Sequence, residues 1–122
     1  MSIHVLVAED EAHIRRLIRF LLEQEGFLVD EVEDGIAALK AVRNCRPDLL
    51  ILDIMLPGMD GFEVCRRIRE LEGGEKNLPV LFVSARENDL GKKVLDALQA
   101  NGFVSKVYLN ERLIPAIHSL VG

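Results

Sequence analysis

Apolar residues recur along the chain in two alternating rhythms: short unbroken runs of strand length, and longer stretches in which they return every third or fourth position. Ile3 to Ala8 (IHVLVA) is the first such run, and it stops at the acidic triplet Glu9-Asp10-Glu11. From Ile14 the positions Ile14, Leu17, Ile18, Leu21 and Leu22 share one helical face. This spacing predicts an amphipathic helix of about 13 residues, ended by Gly26. Phe27 to Val32 is a second, more polar strand that suits a sheet edge. Asp34-Gly35 then opens a helix with Ala38, Ala41, Val42 and Cys45 on its face. Pro47-Asp48 breaks that helix before Leu49 to Leu52, a bulky run that ends at Asp53 and suits a central strand. After the loop Ile54 to Asp60, a helix beginning near Gly61 aligns Val64, Ile68 and Leu71, and Gly73-Gly74 ends it. Val80 to Val83 follows Pro79 and stops at Ser84; a fourth helix carries Leu90, Val94, Ala97 and Leu98. A short strand, Phe103 to Ser105, precedes a last helix through Leu113, Ile117, Leu120 and Val121, which places Pro115 about one turn inside if the helix begins at Asn110.

Strands and helices that alternate with such short connections imply βαβ units with right-handed crossovers. The expected class is a doubly wound α/β fold, a five-stranded parallel sheet with five helices covering both faces. At 122 residues the chain is one domain, and 49% hydrophobic with 29% charged residues is the mixture of a packed core. A net charge of −5 argues against a surface that neutralises phosphate backbones, so no direct nucleic-acid contact is expected. No apolar stretch approaches the roughly 18 residues of a membrane span and the start lacks a basic leader, which points to a cytoplasmic protein with no membrane partner. Cys45 and Cys65 match no zinc or redox spacing and read as reduced structural residues. His4, His13 and His118 lack ligand spacing, and Arg66-Arg67-Ile68-Arg69 among Glu63, Glu70 and Glu72 reads as a solvated face.

In doubly wound folds ligands bind beyond the carboxyl ends of the strands. Those ends carry Glu9 and Asp10, Asp53, Ser84 and Lys106. Any one polar residue there can simply mark where a strand meets water, but five on one rim offer hard oxygen ligands for Mg²⁺ and an amine for phosphate. The chemistry this permits is phosphoryl transfer to Asp53, with a divalent ion and Lys106 neutralising charge on the phosphoryl oxygens. A flavin or dinucleotide module would want a glycine- or hydroxyl-rich first turn where Glu9-Asp10-Glu11 stands. A phosphatase of the haloacid-dehalogenase kind would carry a second Asp where Met55 stands.

The motifs VLVAEDE at 5–11, PDLLILDIMLPGMDGFEVCRRIR at 47–69, PVLFVSA at 79–85 and GFVSK at 102–106 resemble the receiver domain of two-component response regulators over essentially the whole chain. The resemblance implies a single receiver domain, 1–122, with a flavodoxin-like strand order 2-1-3-4-5. It implies that Asp53 accepts a phosphoryl group from the phosphohistidine of a sensor histidine kinase or phosphotransfer protein. Asp10, Asp53 and the backbone carbonyl of Met55 would bind Mg²⁺ or Mn²⁺, with Glu9 assisting through water. Ser84 would hydrogen-bond the phosphate, Lys106 would pair with it, and Phe103 would be the aromatic switch. The face of the fourth helix, fifth strand and fifth helix would meet a downstream target or a second copy.

Three departures accompany the resemblance. Glu9 stands where many members have Asp, and remains an oxygen donor. Val107 stands where the family's lysine is followed by a cis proline, so either the bond is trans in a different loop or strain is retained. Pro115 makes the output face unusual. The leading expectation is a signalling switch, not a turnover enzyme; the alternative is a pseudo-receiver that keeps the fold as an interaction module without phosphorylation. A chain ending at Gly122 is either a stand-alone receiver or part of a longer regulator. Apolar Met55 and cationic Arg86 cannot act as a base for hydrolytic water, which predicts a long-lived phosphoryl group.

Overall fold

The structure is a computed structural model that describes residues 2–85 and 92–121. Five strands, β1 (His4–Ala8), β2 (Leu28–Val32), β3 (Leu49–Asp53), β4 (Val80–Ser84) and β5 (Gly102–Ser105), alternate with five helices. These are α1 (Ala12–Gln24), α2 (Gly35–Cys45), α3 (Gly61–Arg69), α4 (Lys92–Ala97) and α5 (Leu109–Val121). The strands pair in parallel in the order β2-β1-β3-β4-β5. The polar strand β2 lies at the sheet edge, and β3 lies in the centre with every residue buried.

Period-two alternation divides the core. Leu6 and Ala8, Leu50 and Leu52, and Val80 and Phe82 face Ala38 and Val42 of α2 and Val64, Cys65 and Ile68 of α3. Their neighbours Val5 and Val7, Leu49 and Ile51, and Leu81 and Val83 face Ile18 and Leu22 of α1 and Leu113 and Ile117 of α5. Side-chain caps open α2 and α3. Asp34 Oδ1 accepts from Ala37 N at 2.7 Å, and Asp60 Oδ1 accepts from Glu63 N at 2.9 Å.

Leu90 and Arg86 lie outside the described residues. The last helix begins at Leu109, one residue before the expected Asn110, after a 3₁₀ turn at Lys106–Tyr108. Pro115 sits inside α5 on its exposed side, where its missing N–H leaves the Glu111 carbonyl without its helical donor, while Leu113 and Ile117 on the other side stay buried. All peptide bonds among the described residues are trans, Lys106–Val107 included.

The expectation of a solvated basic face at 66–69 holds for Arg66 and Arg67, which pair with Glu63 and Glu70. It fails for Arg69. That guanidinium donates to Leu78 O at 2.8 Å, Lys76 O at 3.1 Å and Gln99 O at 2.7 Å, and to Asn101 Oδ1 at 3.3 Å. Arg69 therefore clasps the end of α3 to the chain entering β4 and to the turn between α4 and β5. Asn101 completes the clasp: its N–H donates to Val80 O at 2.8 Å and its Oδ1 accepts from Val80 N at 2.9 Å.

Candidate functional site

Parallel pairing brings the carboxyl ends of β1, β3, β4 and β5 to one rim, and with them Glu9, Asp10, Asp53, Ser84 and Lys106. A cleft of about 410 Å³ there is lined by Asp10, Glu11, Asp53, Met55, Ser84, Ala85 and Lys106. A larger cavity of about 680 Å³ lies at the opposite rim, around Arg46, Pro47 and Glu75, and contains none of these residues.

Asp53 ends the central strand and is 1% exposed. Its Oδ1 accepts from Met55 N at 3.1 Å and its Oδ2 accepts from Lys106 Nζ at 3.1 Å. Gly61 makes this strand end possible by letting α3 pass directly beneath it, with Gly61 N donating to Ile54 O at 2.8 Å. Lys106 Nζ also lies 2.8 Å from Glu9 Oε1 and 2.9 Å from Glu11 Oε1. Desolvation acts to lower the Lys106 pKa, but the carboxylates of Glu9, Glu11 and Asp53 outweigh it and the net shift is upward. The lysine is a fixed cation.

Glu9 is fully buried. Burial raises its pKa to about 7 against the opposing pull of Lys106 and of the Glu11 N–H, which donates to Oε2 at 3.0 Å. Carboxylate oxygens of Glu9, Asp10 and Asp53 all lie within 4.8 Å of one another. Glu9 Oε1 is paired with the Lys106 ammonium at 2.8 Å. Three hard oxygens from three different carboxylates, meeting on one rim, fit a divalent cation with its attached water.

Of the residues expected from the sequence, Glu9, Asp10, Asp53, Met55, Ser84 and Lys106 come together here; Arg86 is outside the described residues. Ser84 is buried at the end of β4, and Met55 stands 71% exposed at the mouth of the cleft. Phe103 is half-buried on β5, level with Phe82 and against the core beneath α2 and α3. Glu11 joins the site unannounced by spacing. It occupies the cap position of α1, where a shorter side chain would bind helix N–H groups, yet its carboxylate turns to Lys106 instead.

The profile of the response regulator receiver domain matches residues 5–118. The transcriptional regulatory protein CseB of Streptomyces coelicolor is 36% identical over 118 residues, covering 97% of this chain and 49% of that protein. The sensory transduction protein RegX3 of Mycobacterium bovis is 38% identical over 117 residues, covering 96% of this chain and 50% of its own. The chain thus spans about half the length of these curated relatives. A crystal structure of a response regulator from Chloroflexus aurantiacus superposes with a TM-score of 0.90 at 26% identity, covering 98% of both chains. The chemotaxis protein CheY4 of Vibrio cholerae gives the same TM-score and identity over 99% of this chain and 100% of its own. A doubly wound sheet whose acid- and lysine-bearing rim follows this sequence pattern from end to end is thereby placed: the chain belongs to the receiver domain family of two-component response regulators.

Proposed function

We propose that residues 1–122 form a single phosphoacceptor switch in which Asp53 takes a phosphoryl group from the phosphohistidine of a sensor histidine kinase or phosphotransfer protein. One observation carries the reading: of the three clustered acids, Asp53 is the one that both lines the cleft and accepts from Lys106. A carboxylate oxygen of Asp53 forms the new bond to phosphorus as the bond from phosphorus to the donor nitrogen breaks, and the freed imidazole takes up a proton. Lys106 pairs with the phosphoryl oxygens, and the Ser84 hydroxyl donates to one of them. Asp10, Asp53 and the Met55 carbonyl would hold Mg²⁺ or Mn²⁺, with Glu9 acting through a bound water. Such an ion supplies charge neutralisation to the transferring phosphoryl group.

Phe103, level with the strand that ends in Ser84, is the aromatic that changes packing once the phosphoryl group engages the hydroxyl. The face of α4, β5 and α5 then meets a downstream target or a second copy in the cytoplasm. No helix among the described residues is long and apolar enough to cross a membrane. The test is intact mass after incubation with Mg²⁺ and acetyl phosphate. One added phosphoryl group on the wild type and none on Asp53→Asn is the expected result. No addition from any donor would leave the pseudo-receiver, a constitutive interaction module, as the reading that stands.

A further inference from the structure

Glu9 and Asp10 sit on the short connection between β1 and α1, so the positions of their carboxylates depend on what fixes its backbone. The Glu9 N–H donates to Val32 O of β2 at 3.1 Å. The Glu9 carbonyl is held from the other side by Arg15, in the first turn of α1, whose Nη1 donates to Glu9 O at 2.9 Å and to Asp10 O at 3.4 Å. The same guanidinium pairs through Nη2 with Glu33 Oε1 at 2.9 Å, and its Nε lies 3.8 Å from Glu31 Oε1. Its side chain is only 14% exposed. One planar fork therefore ties the acid-bearing loop to α1 and to the chain around the end of β2.

Arg19, one turn further along α1, provides an internal contrast. It donates to Glu31 Oε2 at 2.8 Å, to Val29 O at 3.2 Å and to Glu23 Oε2 at 3.4 Å. It shares the acidic partner and the same two elements with Arg15, yet none of these bonds reaches the loop. Stitching α1 to β2 and fixing Glu9 and Asp10 are thus assigned to different arginines.

We infer that Arg15 is a positioning residue for divalent-cation binding, holding the Glu9 and Asp10 backbone so that their carboxylates stay beside Asp53. This rests on the reading of the acidic cluster as a Mg²⁺ site. The cluster needs such a restraint because like charges brought within a few ångströms repel, and a loop free to move would relieve that repulsion by opening. The restraint acts on carbonyl oxygens, so the metal-facing carboxylates keep their own oxygens available. Lysine in the same place would keep the charge but lose the fork, reaching one of these acceptors where arginine reaches three.

The test is the Mg²⁺ dissociation constant of the wild type, Arg15→Gln, Arg15→Lys and Arg19→Gln, by titration calorimetry at fixed ionic strength, alongside thermal melts in EDTA. Arg15→Gln should weaken Mg²⁺ binding about tenfold, the effect typical of groups that orient metal ligands. Arg15→Lys should weaken it by about a third to a half as much on a logarithmic scale. Arg19→Gln should lower the melting temperature in EDTA by a similar amount while leaving the dissociation constant within about twofold. If Arg15→Gln and Arg19→Gln both bind Mg²⁺ like the wild type, Arg15 is a structural stitch and the inference is overturned. Should Arg15→Gln fail to fold, Arg15→Lys decides it, and unchanged affinity there overturns the inference equally. A wild type that binds no Mg²⁺ would instead remove the metal reading itself, and this inference with it.

Discussion

A single methyl group at Gly61 should damage both the fold and the acceptor site. A Cβ built there lies 2.3 Å from Asp53 O and 2.9 Å from Ile54 Cα, where ordinary contact begins at 3.4 Å. Both neighbours are backbone, so no rotamer change relieves the overlap of roughly 1 Å. Either α3 lifts away, loosening Val64, Cys65 and Ile68 from the sheet, or the Asp53 peptide is displaced from its place opposite Val83. Overpacking of this kind costs about 1–3 kcal/mol, and rigid partners put Gly61→Ala near the upper end. Gly26→Ala supplies the comparison: its φ of +85° is strained for a side chain, but nothing lies within 4 Å. That substitution should cost about 1 kcal/mol and leave the rim alone. The chain has no tryptophan, so urea unfolding is best followed by circular dichroism. Phosphorylation by acetyl phosphate reports on Asp53. Gly61→Ala should lose about 3 kcal/mol and slow phosphorylation about a hundredfold, the cost of misplacing a reacting group by about an ångström. If it is no less stable than Gly26→Ala, or phosphorylates at the wild-type rate, the close approach does not constrain the site as argued.

Met55→Asn should shorten the lifetime of the phosphoryl group several-fold, because an amide at the cleft mouth can orient water where a thioether cannot; an unchanged decay rate of phosphorylated protein would remove Met55 from that role. Arg69→Met should cost about 2–3 kcal/mol in urea unfolding, since it strands several carbonyls at once, and Arg69→Lys should recover less than half of this. Cys45 is exposed and Cys65 buried, so a thiol reagent should modify one group in the folded protein and two after unfolding. Burial holds the Cys65 thiol above its ordinary value of 9.0. The folded protein thus keeps a proton that the unfolded chain gives up, and the stabilisation is full below that value and lost as pH rises through the folded one. Cys65→Ala should flatten the alkaline decline of stability relative to the wild type.

What made the fold legible was the contrast between continuous and periodic apolar runs. Leu49 to Leu52 suits a central strand covered on both faces, and Phe27 to Val32, with Asp30 and Glu31, suits an edge; the structure places β3 and β2 there. The rim followed, because parallel strands deliver their last residues to one place. Less local features were not legible. Glu11 reaches a lysine 95 positions away, and Arg69 reaches a backbone carbonyl 30 positions on; no spacing announces a side chain whose partner lies on a distant segment. Arg69 misleads for a further reason: it follows two arginines whose partners are local, and what sets it apart is the carbonyls offered by the chain entering β4 and by the α4–β5 turn.

The Arg69 clasp has a mechanical consequence. It grips the amino end of β4 and the turn after α4, the end of the molecule opposite the acids. Cys65 adds to the same grip, its thiol directed at Leu98 O at 3.4 Å. With Leu95 and Leu98 also packed against the core, a load on the carboxyl end of α4 passes directly into α3 and the entry of β4, through hydrogen bonds as well as through packing.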